Sequence, residues 1–138
     1  MKRSSASRCA RPTRPLFIAT LVTHKILVVD DELDTAQTLS MLLRDMGHEV
    51  AFAINGRAAL EIAVREKPEV IFLDLKLPDI DGWELARKLR NVPQLSGVRI
   101  IAVTGRKGED DRRRSLEAGC EEHLLKPLDF SLIEKLLA

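Results

Sequence analysis

Cysteine is nearly absent from this chain. Of 138 residues, only Cys9 and Cys120 carry a thiol. One sits in a polar, basic stretch and the other at an expected strand start, so neither a disulfide framework nor a cysteine metal site follows. A reduced, cytoplasmic compartment is the expectation. Long apolar runs are also lacking. Residues 16–22 are apolar apart from Thr20, but they are too few to cross a bilayer, and no membrane role is expected. There is no Walker-type glycine loop, no Gly-x-Gly-x-x-Gly stretch, and no Ser or Cys nucleophile paired with a His base. P-loop, dinucleotide-binding and serine or cysteine hydrolase chemistry are thereby set aside. No repeat or low-complexity segment is present either.

Net charge is small, at +1, but it is unevenly placed. Lys2, Arg3, Arg8, Arg11 and Arg14 fall within residues 1–23 with no acid among them, leaving 17 basic and 21 acidic residues in the remainder. A mildly acidic body argues against nucleic acid as the main partner. Residues 1–23 read as a disordered leader. A basic start followed by a short apolar stretch has the outline of a signal peptide. However, Ile26 opens a core strand almost at once and leaves no clear cleavage site. Residues 24–138 are enough for one domain, which can bury roughly two thirds of its unfolded surface.

Within that domain, strand and helix patterns alternate. Residues 25–30 are a β-branched strand. An amphipathic helix follows over 33–46, with Leu39, Leu42, Leu43 and Met46 spaced by three and four, and Gly47 is placed for a left-handed cap. Residues 49–53 are a short strand, Asn55 can cap the next helix, and Pro68 stops it. Residues 70–73 form a third strand. Pro78, Asp79, Asp81 and Gly82 mark a loop over 76–82, then a helix spans 83–90 with its exit over 91–97. A fourth strand is expected at 98–103, a polar helix at 110–118, and a fifth strand at 120–125. Asp129 caps a last helix, with Leu128 and Ile133 placed as a staple. Five strands alternating with five helices predict an α/β fold with a doubly wound parallel sheet. The first, third and fourth strands are nearly unbroken apolar runs and belong at the centre. The order 2-1-3-4-5 follows, with the switch point between strands one and three.

Right-handed crossovers put every strand's carboxyl end on one edge. That edge collects Asp30, Asp31, Asp74, Thr104 and Lys126. Two unit charges ~4 Å apart repel by about 4 kcal/mol at an effective dielectric of about 20, so three carboxylates need a cation between them. Mg²⁺ suits them, since it takes oxygen ligands and commonly one or two carboxylates plus a phosphate. Asp74, central and alone on its strand, is the candidate nucleophile for aspartyl-phosphate chemistry. Lys126 and Thr104 offer an ammonium and a hydroxyl for phosphoryl oxygens.

These motifs resemble the receiver domain of two-component response regulators, of the CheY-like, flavodoxin-like fold. The residues that carry the resemblance are Ile26-Leu-Val-Val-Asp-Asp31, Asp74 with Leu75-Lys-Leu-Pro-Asp-Ile-Asp-Gly82, Val103-Thr104-Gly105 and Leu125-Lys126-Pro127. It covers residues 24–138. It implies a phosphorelay role in which Asp74 accepts a phosphoryl group from a histidine kinase or histidine phosphotransfer protein. Asp31 would ligate Mg²⁺ directly, Asp30 through water, and Lys76 through its backbone carbonyl. Thr104 and Lys126 would contact the phosphoryl group, and the bond before Pro127 would be cis. Thr104 and the residue at 123 would form the switch. Position 123, an aromatic in many members, is His123 here, similar to receivers of hybrid sensor kinases.

Some readings stay open. His123 is either that switch or an inert residue on an edge strand. Arg112, Arg113 and Arg114 are either a solvated helix face or a partner surface. Trp83 is expected to be packed. Lys76 and Arg106 flank the phosphoryl position and could impede an attacking water. The chain ends at Ala138 after the last helix, so a single-domain receiver without attached output is expected. It would act on an unknown protein target through the face of the fourth helix, fifth strand and last helix, and would not itself be an enzyme. The rivals are a degenerate receiver acting as an interaction module and an aspartate-nucleophile phosphatase. The latter needs a second Asp two residues after the nucleophile, where this chain has Lys76.

Overall fold

The structure, a computed structural model, describes residues 23–105 and 109–138. Residues 1–22 of the expected 1–23 leader, Cys9 among them, and Arg106 lie outside them. Elements follow the order β1 (Lys25–Val29), α1 (Leu33–Asp45), β2 (Glu49–Ala53), α2 (Gly56–Glu66), β3 (Val70–Asp74) and α3 (Gly82–Arg90). After a short 3₁₀ turn at Pro93–Leu95 come β4 (Arg99–Thr104), α4 (Glu109–Glu117), β5 (Glu122–Leu125) and α5 (Phe130–Leu137). All four strand pairings are parallel, in the order β2-β1-β3-β4-β5. This is the doubly wound α/β fold expected, with the switch point between β1 and β3.

Alternation along the central strands divides the core in two. Leu27, Val29, Ile71, Leu73, Ile100 and Ala102 face Ala59 and Ala63 of α2 and Leu85 and Leu89 of α3. Ile26, Val28, Phe72, Ile101 and Val103 face Ala36, Leu39 and Leu43 of α1 and Ile133 and Leu137 of α5. Strands buried on both faces have no polar side to expose, which is why they read as continuous apolar runs.

The local signals behave as their chemistry dictates. Asn55 accepts from Ala58 N at 2.8 Å and Asp129 from Ser131 N at 2.9 Å, each capping its helix. Gly47 adopts φ +102° past α1, a conformation that costs a side-chain-bearing residue and not glycine. Boundaries shift in places. β5 begins at Glu122 and not at Cys120. Cys120 is instead drawn into the end of α4, its N–H donating to Ser115 O at 2.9 Å. β4 starts one residue later than expected, because Val98 N closes the 3₁₀ turn onto Leu95 O. Among the described residues, no helix is long and apolar enough to cross a membrane.

Candidate functional site

The connections that leave β1 and β3 run to opposite faces of the sheet, to α1 and α3, and the site lies at that switch point. Asp30 follows β1, Asp74 closes β3, and both are buried; Asp31 beside them is exposed. One carboxylate oxygen from each of the three lies within 4.8 Å of the others. Lys126 enters from the loop after β5, where the Lys126–Pro127 peptide is cis. Its Nζ donates to Asp30 Oδ2 at 3.0 Å and Asp74 Oδ2 at 3.3 Å. The remaining oxygens are held by backbone: Glu32 N donates to Asp30 Oδ1 at 2.9 Å and Lys76 N to Asp74 Oδ1 at 3.0 Å. Asp30 therefore does not cap α1, whose N-cap Glu32 has no side-chain capping bond.

Burial raises the Asp74 pKa. The Lys76 N–H opposes that rise, the Asp30 charge adds to it, and Lys126 works against it. Burial works against the Lys126 ammonium, but its bond to Asp30 and the charge of Asp74 outweigh that and raise its pKa. One ammonium thus faces three carboxylates. The net negative charge and all-oxygen donor set fit a hard divalent cation such as Mg²⁺. The cleft above them measures about 430 Å³, and Gly105 and Lys76 line it beside the carboxylates and Lys126. A second cavity of about 450 Å³ opens beside it, walled by Val28, Phe72, Val103 and Leu128.

Thr104 is the last residue of β4 and is buried; its carbonyl accepts from Lys126 N at 2.9 Å. His123 lies one strand over, paired with Ala102. It is only 7% exposed, so it is not a surface residue. β5 is an edge strand, but the ring turns inward beneath α4, where its Nδ1 lies 2.8 Å from Ser115 Oγ. Trp83 is packed as expected, and its Nε1 donates to the same Ser115 Oγ at 2.9 Å. The three consecutive arginines are all exposed, and Arg114 lies over the Trp83 ring, 3.7 Å from its centroid.

Two groups near the site had no signal in one-dimensional pattern. Ser115 is a polar residue in a polar helix, and only the packing shows it buried. Asp79 reads as a loop residue, yet its carboxylate reaches back to α2, accepting from Gly56 N at 2.8 Å and Arg57 N at 3.0 Å. These bonds, Gly56 first, lower its pKa. They anchor the loop that carries Lys76.

A doubly wound parallel sheet with an acidic pocket at its switch point and a lysine reaching into it places the ligand site of an open α/β domain at this edge. The chain belongs to the response regulator receiver domain family, whose model matches residues 26–138. It is 36% identical over 105 residues to the response regulator PleD of Caulobacter vibrioides, covering 76% of this chain and 23% of that one; the chain thus spans about a quarter of PleD's length. Vibrio cholerae chemotaxis protein CheY4 superposes with a TM-score of 0.78 at 29% identity, over 83% of this chain and 97% of the other. A Burkholderia pseudomallei response regulator, solved with a phosphorylated aspartic acid, a calcium ion and citrate, gives 0.76 at 31% identity, over 83% and 66%. Receiver domains serve phosphorelay signalling and interact with histidine kinases or phosphotransfer proteins. They bind Mg²⁺ through an acidic cluster of the kind formed here by Asp30, Asp31 and Asp74.

Proposed function

We propose that Asp74 is the phosphoacceptor of this protein. A carboxylate oxygen of Asp74 bonds to phosphorus as the phosphorus–nitrogen bond of a donor phosphohistidine breaks, and the imidazole nitrogen departs. The donor is a histidine kinase or a histidine phosphotransfer protein. Asp31 and Asp74, the Lys76 carbonyl and, through water, Asp30 would hold Mg²⁺. When bound, the cation offsets carboxylate charge and the charge of the transferring group. Lys126 pairs with an oxygen of the new phosphoryl group, and the Thr104 hydroxyl donates to another. The observation that carries this reading is the meeting of three carboxylates and one ammonium at the switch-point cleft.

The protein then acts as a switch in the cytoplasm and not as a turnover enzyme, and Lys76 stands where a phosphatase of this type needs a second Asp. Output passes to a protein target through the α4–β5–α5 face, not to nucleic acid or membrane. Exposed Leu116, Leu125 and Leu132 on those elements, beside Arg112 and Arg113, give that face apolar anchors with a basic border.

The test is incubation with a small phosphodonor and Mg²⁺, followed by intact-mass measurement. One phosphoryl adduct on the wild type and none on Asp74→Asn is the expected result. No adduct on the wild type would favour a phosphorylation-independent interaction module. Steady release of phosphate from simple phosphate esters would favour the phosphatase.

A further inference from the structure

Trp83, Ser115 and His123 come from three different elements and meet at one hydroxyl. The indole N–H of Trp83 can only donate, so Ser115 Oγ accepts from it at 2.9 Å. Ser115 Oγ also lies 3.1 Å from the carbonyl of Asp111, which can only accept, so the hydroxyl proton belongs on that carbonyl. The remaining lone pair of Oγ faces His123 Nδ1 at 2.8 Å. With the hydroxyl proton on Asp111 O, the ring completes the set by carrying its proton on Nδ1 and donating to Ser115. The opposite arrangement would send the hydroxyl proton to Nδ1, strip Asp111 O of it, and put a proton on Nε2. Nε2 is buried and has no hydrogen-bond partner among the described residues. A bare lone pair there is tolerated better than an orphaned N–H.

We infer that Ser115 is a positioning residue that holds His123 inward as the neutral Nδ1–H tautomer and ties its rotamer to the seating of α4 against α3. The inference rests on the receiver reading only for its consequence. Ser115 is on α4, and its two side-chain partners are on α3 and β5. Arg114 adds a contact from α4 to α3 by covering the Trp83 ring. His123 therefore cannot turn outward without breaking its bond to α4, and α4 cannot shift without releasing Trp83 and His123 together. Trp83 follows Asp81, whose carboxylate accepts the Trp83 N–H at 2.8 Å at the end of the loop that begins beyond Asp74. In this protein the residue at 123 and helix α4 report on the phosphoacceptor as one body.

The experiment is long-range proton–nitrogen correlation of the histidine rings in the full ¹⁵N-labelled chain at neutral pH, with the His123 signal assigned by its loss in His123→Gln. Expected for the wild type is a neutral ring protonated on Nδ1. Ser115→Ala should move that signal to the Nε2–H form and shift the Trp83 indole N–H; Trp83→Phe, which removes only the other donor, should leave His123 protonated on Nδ1. A wild-type ring protonated on Nε2 or on both nitrogens overturns the inference, as does a Ser115→Ala protein with unchanged signals. In a protein carrying the Asp74 phosphoryl, His123 and Trp83 signals should shift together in the wild type and independently in Ser115→Ala. The tautomer is read without any phosphodonor, so a missing adduct on Asp74 would sink the functional reading alone.

Discussion

Lys126 and Asp30, 96 residues apart, form an ion pair of 3.0 Å, shorter than the 3.3 Å that separates Lys126 from Asp74. The ammonium is thus shared between two buried carboxylates and neutralises neither completely. Removing it leaves both facing each other. Lys126→Ala should lower stability by about 1–3 kcal/mol in the absence of divalent cations, the cost of uncompensated and partly buried charge. Urea unfolding with and without Mg²⁺ checks this, and the deficit should shrink when the cation is added.

Asp74 is the carboxylate that its surroundings disfavour most clearly. Its pKa is raised in the folded protein by burial and then by Asp30, so at neutral pH the charged form is held at a cost that the unfolded chain does not bear. Asp74→Asn should stabilise the cation-free protein, because the neutral amide removes the charge that burial and Asp30 disfavour. It should also lose most of the stabilisation that Mg²⁺ confers on the wild type. Paired thermal melts would decide, and a lower melting point for cation-free Asp74→Asn would contradict the electrostatic account.

Acid should weaken the fold before the other carboxylates titrate. Burial depresses the pKa of His48 and of His123 below their ordinary 6.5. His48 also uses Nδ1 as an acceptor, taking the N–H of His24 at 3.0 Å. The unfolded chain then binds protons more readily than the folded one, so stability is full above about pH 6.5 and declines as pH falls from there through the depressed folded values. Urea midpoints at about pH 7.5 and about pH 5.5, on either side of the ordinary imidazole range, should differ in that direction. Measuring them in Asp74→Asn removes the opposing effect of the raised carboxyl.

Two glycines make a matched pair. A Cβ on Gly82 would lie 2.5 Å from Leu75 Cα and 2.8 Å from Leu75 O, main-chain atoms that cannot give way. Gly82 N also donates to that carbonyl at 3.2 Å, closing the loop below Lys76. Gly82→Ala should cost roughly 2–4 kcal/mol and weaken Mg²⁺ binding by displacing the loop. A Cβ on Gly97 meets nothing within 4 Å, so Gly97→Ala should be close to neutral in the same denaturation assay.

Asp79 clamps the same loop from the other side, through Gly56 N and Arg57 N of α2. Asp79→Ala frees that clamp without touching a carboxylate of the site. Mg²⁺ affinity, followed by the fluorescence of Trp83, should fall several-fold, while Asp74 should still be phosphorylated at saturating cation. Unchanged affinity would show that the loop holds its shape without α2.

The amino-acid order alone determined the fold and which strand ends meet at the acidic cleft. Apolar runs ending in Asp30, Asp74 and Thr104 give strand identity, and unbroken apolarity at the first, third and fourth runs marks the centre of the sheet, because burial on both faces leaves no position for a polar residue. The caps at Asn55 and Asp129 and the turn at Gly47 were legible because each acts within a few residues of itself. Tertiary structure decided what depends on contacts between distant segments. Only packing shows that Lys126 favours Asp30, that Asp79 binds α2, and that His123 is turned inward although its strand lies at an edge. Cys120 read as strand by its apolar character and was claimed by the end of α4 because Ser115 O needed a donor. Ser115 itself is invisible in a polar helix. Its role arises only where α3, α4 and β5 converge, because one hydroxyl can satisfy a tryptophan, an imidazole and a carbonyl only in a place that water does not reach.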